Sequence, residues 1–388
     1  MHAPDSAADS SATALRSILI EAALIGLVFL FLAEGLSRLL HGGARPMLPY
    51  VADPSMAPRL PSNFSSDIRF GDAAVFEVCT DEYGLRGSIC GKRAVEPSVL
   101  VVGDSQALGW SMPFGHSVAA LVARGRGQGL PGVARAMASG GADVESLRSW
   151  AEEYRERMPR KSSTRELNIL VLNMGNDLDE MYYGRATGRM PELKALREWL
   201  TLNSYAMLDV ALLKNQVSGA GDWHLPPGAN PVAVALTEEE RLDLAEATAE
   251  AVIRLSAALP AARQTMVLVL PTDYQISLGE FEKYRPFYPS SAQFDVWKRR
   301  LPAMARGLDD MERHITRSLA RAGVQTVSPR ALLAAQDPRH IFDRRSHHYT
   351  EAGHRVLAQV LLPAVQDGAV STGAGSAHAT QGRPLWTP

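Results

Sequence analysis

The chain has 388 residues, room for two average domains or one large domain with insertions. Hydrophobic residues make up 46% and charged residues 21%, which excludes a disordered or fibrous chain. Forty basic against 42 acidic side chains leave no positive excess to neutralise phosphates, so no nucleic-acid partner is expected.

Residues 1–14 read as a polar leader and 15–40 as a transmembrane anchor. The core of that anchor, AALIGLVFLFLA at 22–33, carries no charge. A spanning helix needs about 20 residues. Widening the window to 15–40 reaches that length and admits Arg16, Glu21, Glu34 and Arg38. Arg16 and Arg38 lie near the two ends, where long cations snorkel. Glu34 and Arg38 are spaced i,i+4 and pair on a helix. No small-x-small cleavage site follows the apolar run, which favours an anchor over a cleaved signal peptide, and the polar leader before it and the Gly/Pro stretch after it argue against a buried core helix. Charge does not settle orientation. Arg16 precedes the span while Arg38, Arg45 and Arg59 follow it, a count that slightly opposes an exported domain.

Residues 41–97 are rich in Pro, Gly, Ser and Asp and read as an irregular, membrane-proximal collar. Within it, CTDEYGLRGSIC places Cys79 and Cys90 eleven residues apart. They form a disulfide in an oxidising compartment or stand as two separate thiols. Two cysteines exclude both a disulfide-stapled small scaffold and a four-cysteine zinc site.

From residue 98 the pattern becomes regular. Apolar runs of strand length at 99–102, 133–138, 168–172, 266–270 and 324–327 alternate with helical stretches at 117–123, 144–157, 238–258, 294–322 and 351–365. In 238–258 the stripe Leu242, Ala245, Ala249, Val252 and Leu255 keeps a helical period. This alternation predicts an α/β fold, a three-layer α/β/α sandwich around a five-stranded parallel sheet, over residues 98–366. Segments near 178–237 and 272–293 break the alternation and read as insertions that wall a site. The Gly/Ser/Ala-rich tail 367–388 is expected to be disordered.

Ligands of open α/β sheets bind outside the carboxyl ends of the strands. Gly103-Asp104-Ser105 follows the first strand, Ser139, Gly140 and Gly141 the second, and Gly175-Asn176-Asp177 the third. FDRRSHHYTEAGH, with His347 and His348, follows the fifth. In a 2-1-3-4-5 order the first three strands are neighbours, so Ser105, Gly141 and Asn176 converge. These residue types support acyl transfer. A serine hydroxyl needs a base to take its proton, and histidine is the usual one. The backbone N–H groups of Ser105 and Gly141 and the Asn176 amide supply three donors for a tetrahedral oxyanion.

Four blocks in this order resemble the SGNH (GDSL-like) hydrolase superfamily. They are GDSQALGW at 103–110, the glycine of GGADVESL best matched at Gly141, GND at 175–177 and HYTEAGH at 348–354. The stretch DEYGLRG at 81–87 resembles membrane-anchored bacterial members. The resemblance covers roughly two thirds of the chain. It implies a flavodoxin-like hydrolase fold, Ser105 as nucleophile, His348 as base, and an oxyanion hole of Ser105, Gly141 and Asn176. Asp104 and Asp177 match positions that are usually structural. No cofactor and no metal are implied. The G-x-S-x-G elbow of ordinary α/β-hydrolases is absent.

One departure stands out. The family places an aspartate two or three residues before the base, where this chain has Ser346 and Arg345. The nearest acid is Asp343. Either Asp343 reaches the imidazole through a longer turn, or a Ser–His dyad is oriented by a backbone carbonyl or Ser346, or the site is weakened. His347, His348 and His354 with Asp343 also permit a metal cluster. The aromatic group Tyr274, Phe281, Tyr284, Phe287, Tyr288 and Trp297 reads as a sugar-stacking wall or as core packing. Thr350 reads as the N-cap of the last helix.

The expectation is a serine esterase or O-acyl transferase acting on small acyl (acetyl) esters of carbohydrate, with the substrate on a cell-surface or exported polysaccharide. It would sit in the inner membrane on a single span, with its catalytic domain in the periplasm and polysaccharide-biosynthesis proteins as partners. The alternative is an inactive carbohydrate-binding or assembly subunit. A lipid esterase or thioesterase facing the bilayer is a third reading.

Overall fold

The computed structural model describes residues 6–40, 42–45, 48, 51–53, 56–69, 74–87, 97–125, 134–140, 142–157, 167–179, 181–182, 232–288, 290–344 and 348–370. Helix α1 (Ser6–Leu40) comes first. Its segment Ile20–Leu40 is long and apolar enough to cross a membrane. Phe29, Phe31 and Leu39 stand exposed, Phe31 at 76%, so α1 is not a core helix of the domain. Arg38 Nε donates to Glu34 Oε1 at 2.8 Å, the i,i+4 pair expected from the spacing. A single apolar helix of this kind is a membrane span or a signal sequence.

Strands β1 (Val51–Asp53) and β2 (Met56–Arg59) form a small antiparallel pair. β3 (Ser65–Ile68), β4 (Phe76–Thr80) and β5 (Arg86–Gly87) lead to the frame. The frame is β6 (Val99–Gly103), β7 (Ala134–Ala138), β8 (Leu167–Asn173), β9 (Gln264–Leu270) and β10 (Gln325–Val327). These five are parallel neighbours in the spatial order β7-β6-β8-β9-β10, the expected 2-1-3-4-5. Their side chains alternate between two cores. Leu100, Val102, Leu170, Leu172, Val267 and Val269 enter one; Val99, Val101, Ile169, Val171, Met266 and Leu268 enter the other. Burial on both faces is why these strands read as unbroken apolar runs.

Helices cover each face. The short α2 (Ser105–Leu108), α3 (Val118–Gly125) and, at the end of the chain, α11 (Glu351–Val370) pack on one side. α4 (Val144–Arg157), α5 (Val232–Ala235), α6 (Glu238–Ala258) and α8 (Ser291–Arg321) pack on the other. Between β9 and α8 run α7 (Asp273–Ile276) and a 3₁₀ helix at Leu278–Phe287. α9 (Arg330–Ala334) and α10 (Pro338–Ile341) follow β10.

Three expectations change. The sheet has eight strands rather than five, because β5, β4 and β3 continue it beyond β7. A bare β7 edge would leave backbone groups unpaired, and the residues before the frame cover it. The Arg135 Nε–Asp81 Oδ2 ion pair, 3.1 Å long and with both side chains 2% exposed, locks that join. The buried face of α6 is also rotated. Leu242 is 37% exposed, while Leu244, Ala245, Thr248, Ala249, Ala251, Val252 and Leu255 are buried, since α6 packs against both α4 and α8. Finally, α8 starts at Ser291, where Ser290 Oγ accepts the Gln293 N–H, and α11 runs to Val370, into the segment read as tail. Most of the first insertion, 183–231, and residues 371–388 lie outside the described residues.

The DEYGLRG stretch acquires a physical role here. Asp81 Oδ1 accepts the N–H groups of Tyr83 and Leu85, and the turn passes through Gly84 at φ 76°. It delivers Arg86, 1% exposed, beneath α2. Arg86 Nη1 donates to the Leu108 and Gly109 carbonyls at 2.6 and 2.8 Å, and Nη2 to the Met112 carbonyl at 2.6 Å. The rings of Phe76 and Phe114 lie 5.6 and 5.9 Å from the guanidinium carbon. Arg86→Met keeps the volume but leaves these carbonyls without their charged donor. It is expected to lower stability by roughly 3 kcal/mol. Chemical denaturation of the two proteins checks this, and equal midpoints and slopes would refute it.

Candidate active site

Strand β6 ends at Gly103, where an added Cβ would lie 2.9 Å from the Cβ atoms of Ala107 and Val171; only glycine lets the chain turn there. Asp104 caps α2, its Oδ1 accepting the Gln106 N–H at 2.9 Å. Its Oδ2 accepts from Asn173 Nδ2 at 2.8 Å. Asn173 ends β8 and organises the next turn: its side-chain oxygen accepts the Gly175 N–H, and its carbonyl accepts the Asn176 N–H. Its own N–H goes to Asp177 Oδ2 at 2.7 Å. The serine turn and the Asn176 turn are thus bolted together across neighbouring strands.

Ser105 is the first residue of α2 and 6% exposed. Its Oγ lies 2.8 Å from His348 Nε2. The segment that brings His348 there is a tight hairpin. Phe342 and Tyr349 form a β-bridge, Asp343 N–H donates to the His348 carbonyl at 2.8 Å, and Thr350 N–H donates to the Ile341 carbonyl at 2.9 Å. Thr350 Oγ1 accepts the Gly353 N–H and so caps α11. Tyr349 N–H donates to Gln106 Oε1 at 3.1 Å, which ties the residue after the base to the residue after the serine.

Sequence reasoning missed four residues around this pair. Asn173 and Gln106 are the links just described. Trp110 stacks on the His348 ring, with centroids 5.3 Å apart and planes 11° from parallel. The fourth, Lys283, comes from the 3₁₀ helix. Its Nζ lies 2.7 Å from Asp273 Oδ2 and donates to the Asp343 carbonyl at 3.1 Å. Tyr284 Oη donates to the same Asp273 oxygen at 2.6 Å. Burial, then the Asp273 charge, pushes the Tyr284 phenol well above its ordinary range, so it remains a donor. Trp110 and Gln106 lie within the GDSQALGW block, the one signal that reaches them; Asn173 and Lys283 stand outside every block.

Of the residues read from the sequence, Ser105 and His348 meet directly. Asn176 sits in the turn beside them, and Asp343 closes the base hairpin through its backbone. Gly141, Arg345, Ser346 and His347 lie outside the described residues; Ser139 N–H donates to the Gly103 carbonyl at 3.3 Å, which starts the second turn next to the first. The metal reading loses His354, whose Nδ1 accepts the Val118 N–H at 3.0 Å inside the core. Among the described residues no group of three or more His, Cys, Asp or Glu gathers around a metal-sized site. Of the aromatic group, Tyr274, Phe281, Tyr284 and Tyr288 are core packing, buried with Phe294, and Trp297 packs against them; the Phe287 side chain lies outside the described residues.

Two buried groups beside the site titrate in opposite senses. Burial, helped by Arg86, pushes the His354 imidazole down to about 3. Burial pushes the Asp179 carboxyl up to about 7, against a hydrogen bond from the Val232 N–H. Between pH 3 and 6.5 the unfolded chain protonates His354 and the folded one does not, so this group costs stability as pH falls. Between pH 4 and 7 the folded chain holds a proton on Asp179 that the unfolded one has lost, so this group costs stability as pH rises. Each slope is at most about 1.4 kcal/mol per pH unit, and the two offset between pH 4 and 6.5. Asp179→Asn should therefore raise stability at pH 7.5 and expose a steeper acid loss, and His354→Asn should do the reverse. Urea titrations at pH 4.5, 5.5, 6.5 and 7.5 read this out; profiles parallel to wild type would sink it.

No protein-family model and no curated protein matches the sequence. Solved structures do. A lipolytic protein of the G-D-S-L family from Veillonella parvula has 11% identity and a TM-score of 0.36, covering 68% of this chain and 96% of its own. An acetylxylan esterase from Geobacillus stearothermophilus, as a catalytic mutant, has 14% identity and a TM-score of 0.35, covering 71% and 96%. An inhibitor-bound aryl esterase from M. smegmatis has 13% identity and a TM-score of 0.33, covering 69% and 98%. These neighbours are esterases and a lipolytic protein of the G-D-S-L family, and what this chain shares with them is the fold.

Proposed function

We propose that the chain is a serine esterase or O-acyl transferase that acts on small acyl esters, acetyl above all, of an exported polysaccharide. The observation that carries this reading is the 2.8 Å contact between Ser105 Oγ and His348 Nε2 at the carboxyl edge of the sheet. A serine hydroxyl within hydrogen-bond reach of an imidazole has the geometry of a nucleophile and its base. His348 takes the Ser105 proton as Oγ attacks the ester carbonyl. The backbone N–H groups of Ser105 and Gly141 and the Asn176 amide hold the oxyanion. His348 then returns the proton to the departing sugar oxygen, which leaves Ser105 acylated. Water, or a second sugar hydroxyl, takes the acyl group in a mirror of the first step.

Asp343 is assigned as the acid that orients His348, because the two residues are joined backbone to backbone across one turn. Trp110 lies flat on the imidazole, which favours the ring plane that points Nε2 at Ser105 and stabilises the imidazolium. Placement in the inner membrane with a periplasmic domain draws on two features. The apolar segment Ile20–Leu40 is uncovered by the described residues, and Cys79 is disulfide-bonded, as an oxidising compartment allows. A tethered, exported active site meets cell-surface glycans and the proteins that build them.

Intact mass after exposure to a fluorophosphonate should show one adduct on wild type and none on Ser105→Ala or His348→Ala. Acetate release from an acetylated polysaccharide should follow the same pattern. Asp343→Asn should lower kcat by roughly 10⁴, the loss typical of an orienting acid. A folded wild type without adduct or turnover would leave a binding subunit as the reading. A loss under about tenfold in Asp343→Asn would mean a dyad.

A further inference from the structure

A pocket opens on the face of the molecule opposite α3 and α11. It has a volume of about 670 Å³, and its lining includes Ala233, Arg241, Arg300, Arg306, Gly307 and Asp310. Two contacts place it beside the site. Gln275, five residues past the end of β9, donates from Nε2 to Asp309 Oδ1 at 2.8 Å, so this part of α8 is level with the carboxyl edge of the sheet. Val232, the neighbour of Ala233, donates its N–H to Asp179, three residues past Asn176. Helix α5 therefore runs between the Asn176 turn and the pocket. The wall is close-packed: a Cβ on Gly307 would lie 2.5 Å from the Ala233 carbonyl oxygen.

The lining is cationic. Arg241 Nη1 donates to the Leu236 and Ala233 carbonyls at 2.8 and 3.4 Å, which fixes its guanidinium at the wall. Its Nε is buried with no hydrogen-bond partner. The Arg300 guanidinium lies over Trp297, 5.5 Å from the ring centre, and Arg306 lines the same space. Among the described residues of the lining the one carboxylate, Asp310, is engaged by Arg313. Three arginines thus line a space far larger than a lone phosphate needs and within the roughly 300–1,000 Å³ of small-ligand sites.

We infer that this pocket is a subsite for a carboxylate-bearing sugar unit, so that the polysaccharide acted on at Ser105 is acidic. Guanidinium forks suit carboxylates geometrically, and the volume suits a sugar ring. The inference rests on the esterase reading for the identity of the polymer, but the pocket binds an acidic sugar whether or not Ser105 is active.

The test uses the full-length protein in detergent and unacetylated oligogalacturonate, which offers no ester to turn over. Its methyl-esterified, uncharged form is the paired probe. Calorimetry should show binding of the acid form that weakens with salt, and at least tenfold weaker binding of the neutral form. Arg300→Ala/Arg306→Ala, with thermal melting as its control for folding, should weaken acid-form binding at least about tenfold, the scale of one lost charged hydrogen bond. Equal binding of the two probes, or by the double variant, would overturn the subsite. So would binding of inorganic phosphate or of phosphatidylglycerol vesicles with none of oligogalacturonate, which would make the pocket a phosphate or lipid site. Wild type is exposed to fluorophosphonate in parallel. Binding without an adduct keeps the subsite and removes the esterase reading; an adduct without arginine-dependent binding does the opposite.

Discussion

The buried carboxylate of Asp104 is the constraint on which the site depends. It is 1% exposed, and a carboxylate in that position is tolerated only with donors on its oxygens. It has the Gln106 N–H on one oxygen and Asn173 Nδ2 on the other. The first bond starts α2 and sets Ser105 on its first turn. The second fixes the Asn176 turn, 69 residues later in the chain, against it. Gln106 then extends the register to a third crossing, because its side chain accepts the Tyr349 N–H across 243 residues. Ser105, the Asn176 turn and His348 are therefore indexed to one another through consecutive residues of one short helix. The distance between Ser105 and His348 follows from that chain of bonds.

The parts of this arrangement legible in the sequence are those with a local signature. β6, β8 and β9 are buried on both faces, so each reads as a continuous apolar run with a polar break at its carboxyl end. That break is where Ser105 and Asn176 stand. The helix at 238–258 announces its start through Thr237 and Glu240, a reciprocal capping pair, yet its buried face was misjudged at Leu242 because two neighbouring helices, not one, cover it. β5 is two residues long and β3 reads SSDI, so neither offers a period to detect, and both exist because an open β7 edge recruits them. Asn173 and Lys283 leave no trace, and Arg86 shows only as one letter of the DEYGLRG stretch, for the same kind of reason. An arginine in a Gly-rich turn, an asparagine closing a strand and a lysine in an insertion are all ordinary, and their meaning lies in partners far along the chain.

The second insertion turns out to hold the site rather than to wall it. Its aromatic residues sink into the core around Phe281, and this anchors the 3₁₀ helix that carries Lys283. The Lys283–Asp273 pair is nearly excluded from solvent, at 10% and 1% exposure. Removing one partner of such a pair strands the other charge, so the geometry around it is stiffly defined. The Asp343 carbonyl completes the coordination of the ammonium, and the hairpin bearing His348 inherits that stiffness.

A common logic links the two ends of the catalytic pair. The five-stranded frame sets where the serine and the histidine fall, but neither is held by the frame alone. The carboxyl end of α2 is gripped by Arg86, which belongs to the segment before the five-stranded frame. The base hairpin is gripped by Lys283, which belongs to the second insertion. Each cation reaches backbone carbonyls from a buried position, so each acts on main-chain placement and not on side-chain chemistry. A serine nucleophile tolerates little error in its distance to the base, since a misplacement on the order of 1 Å can cost about 10² in rate. The elements added to the common frame are thus where this chain spends its buried charge, and the charge is spent on holding two main-chain segments still.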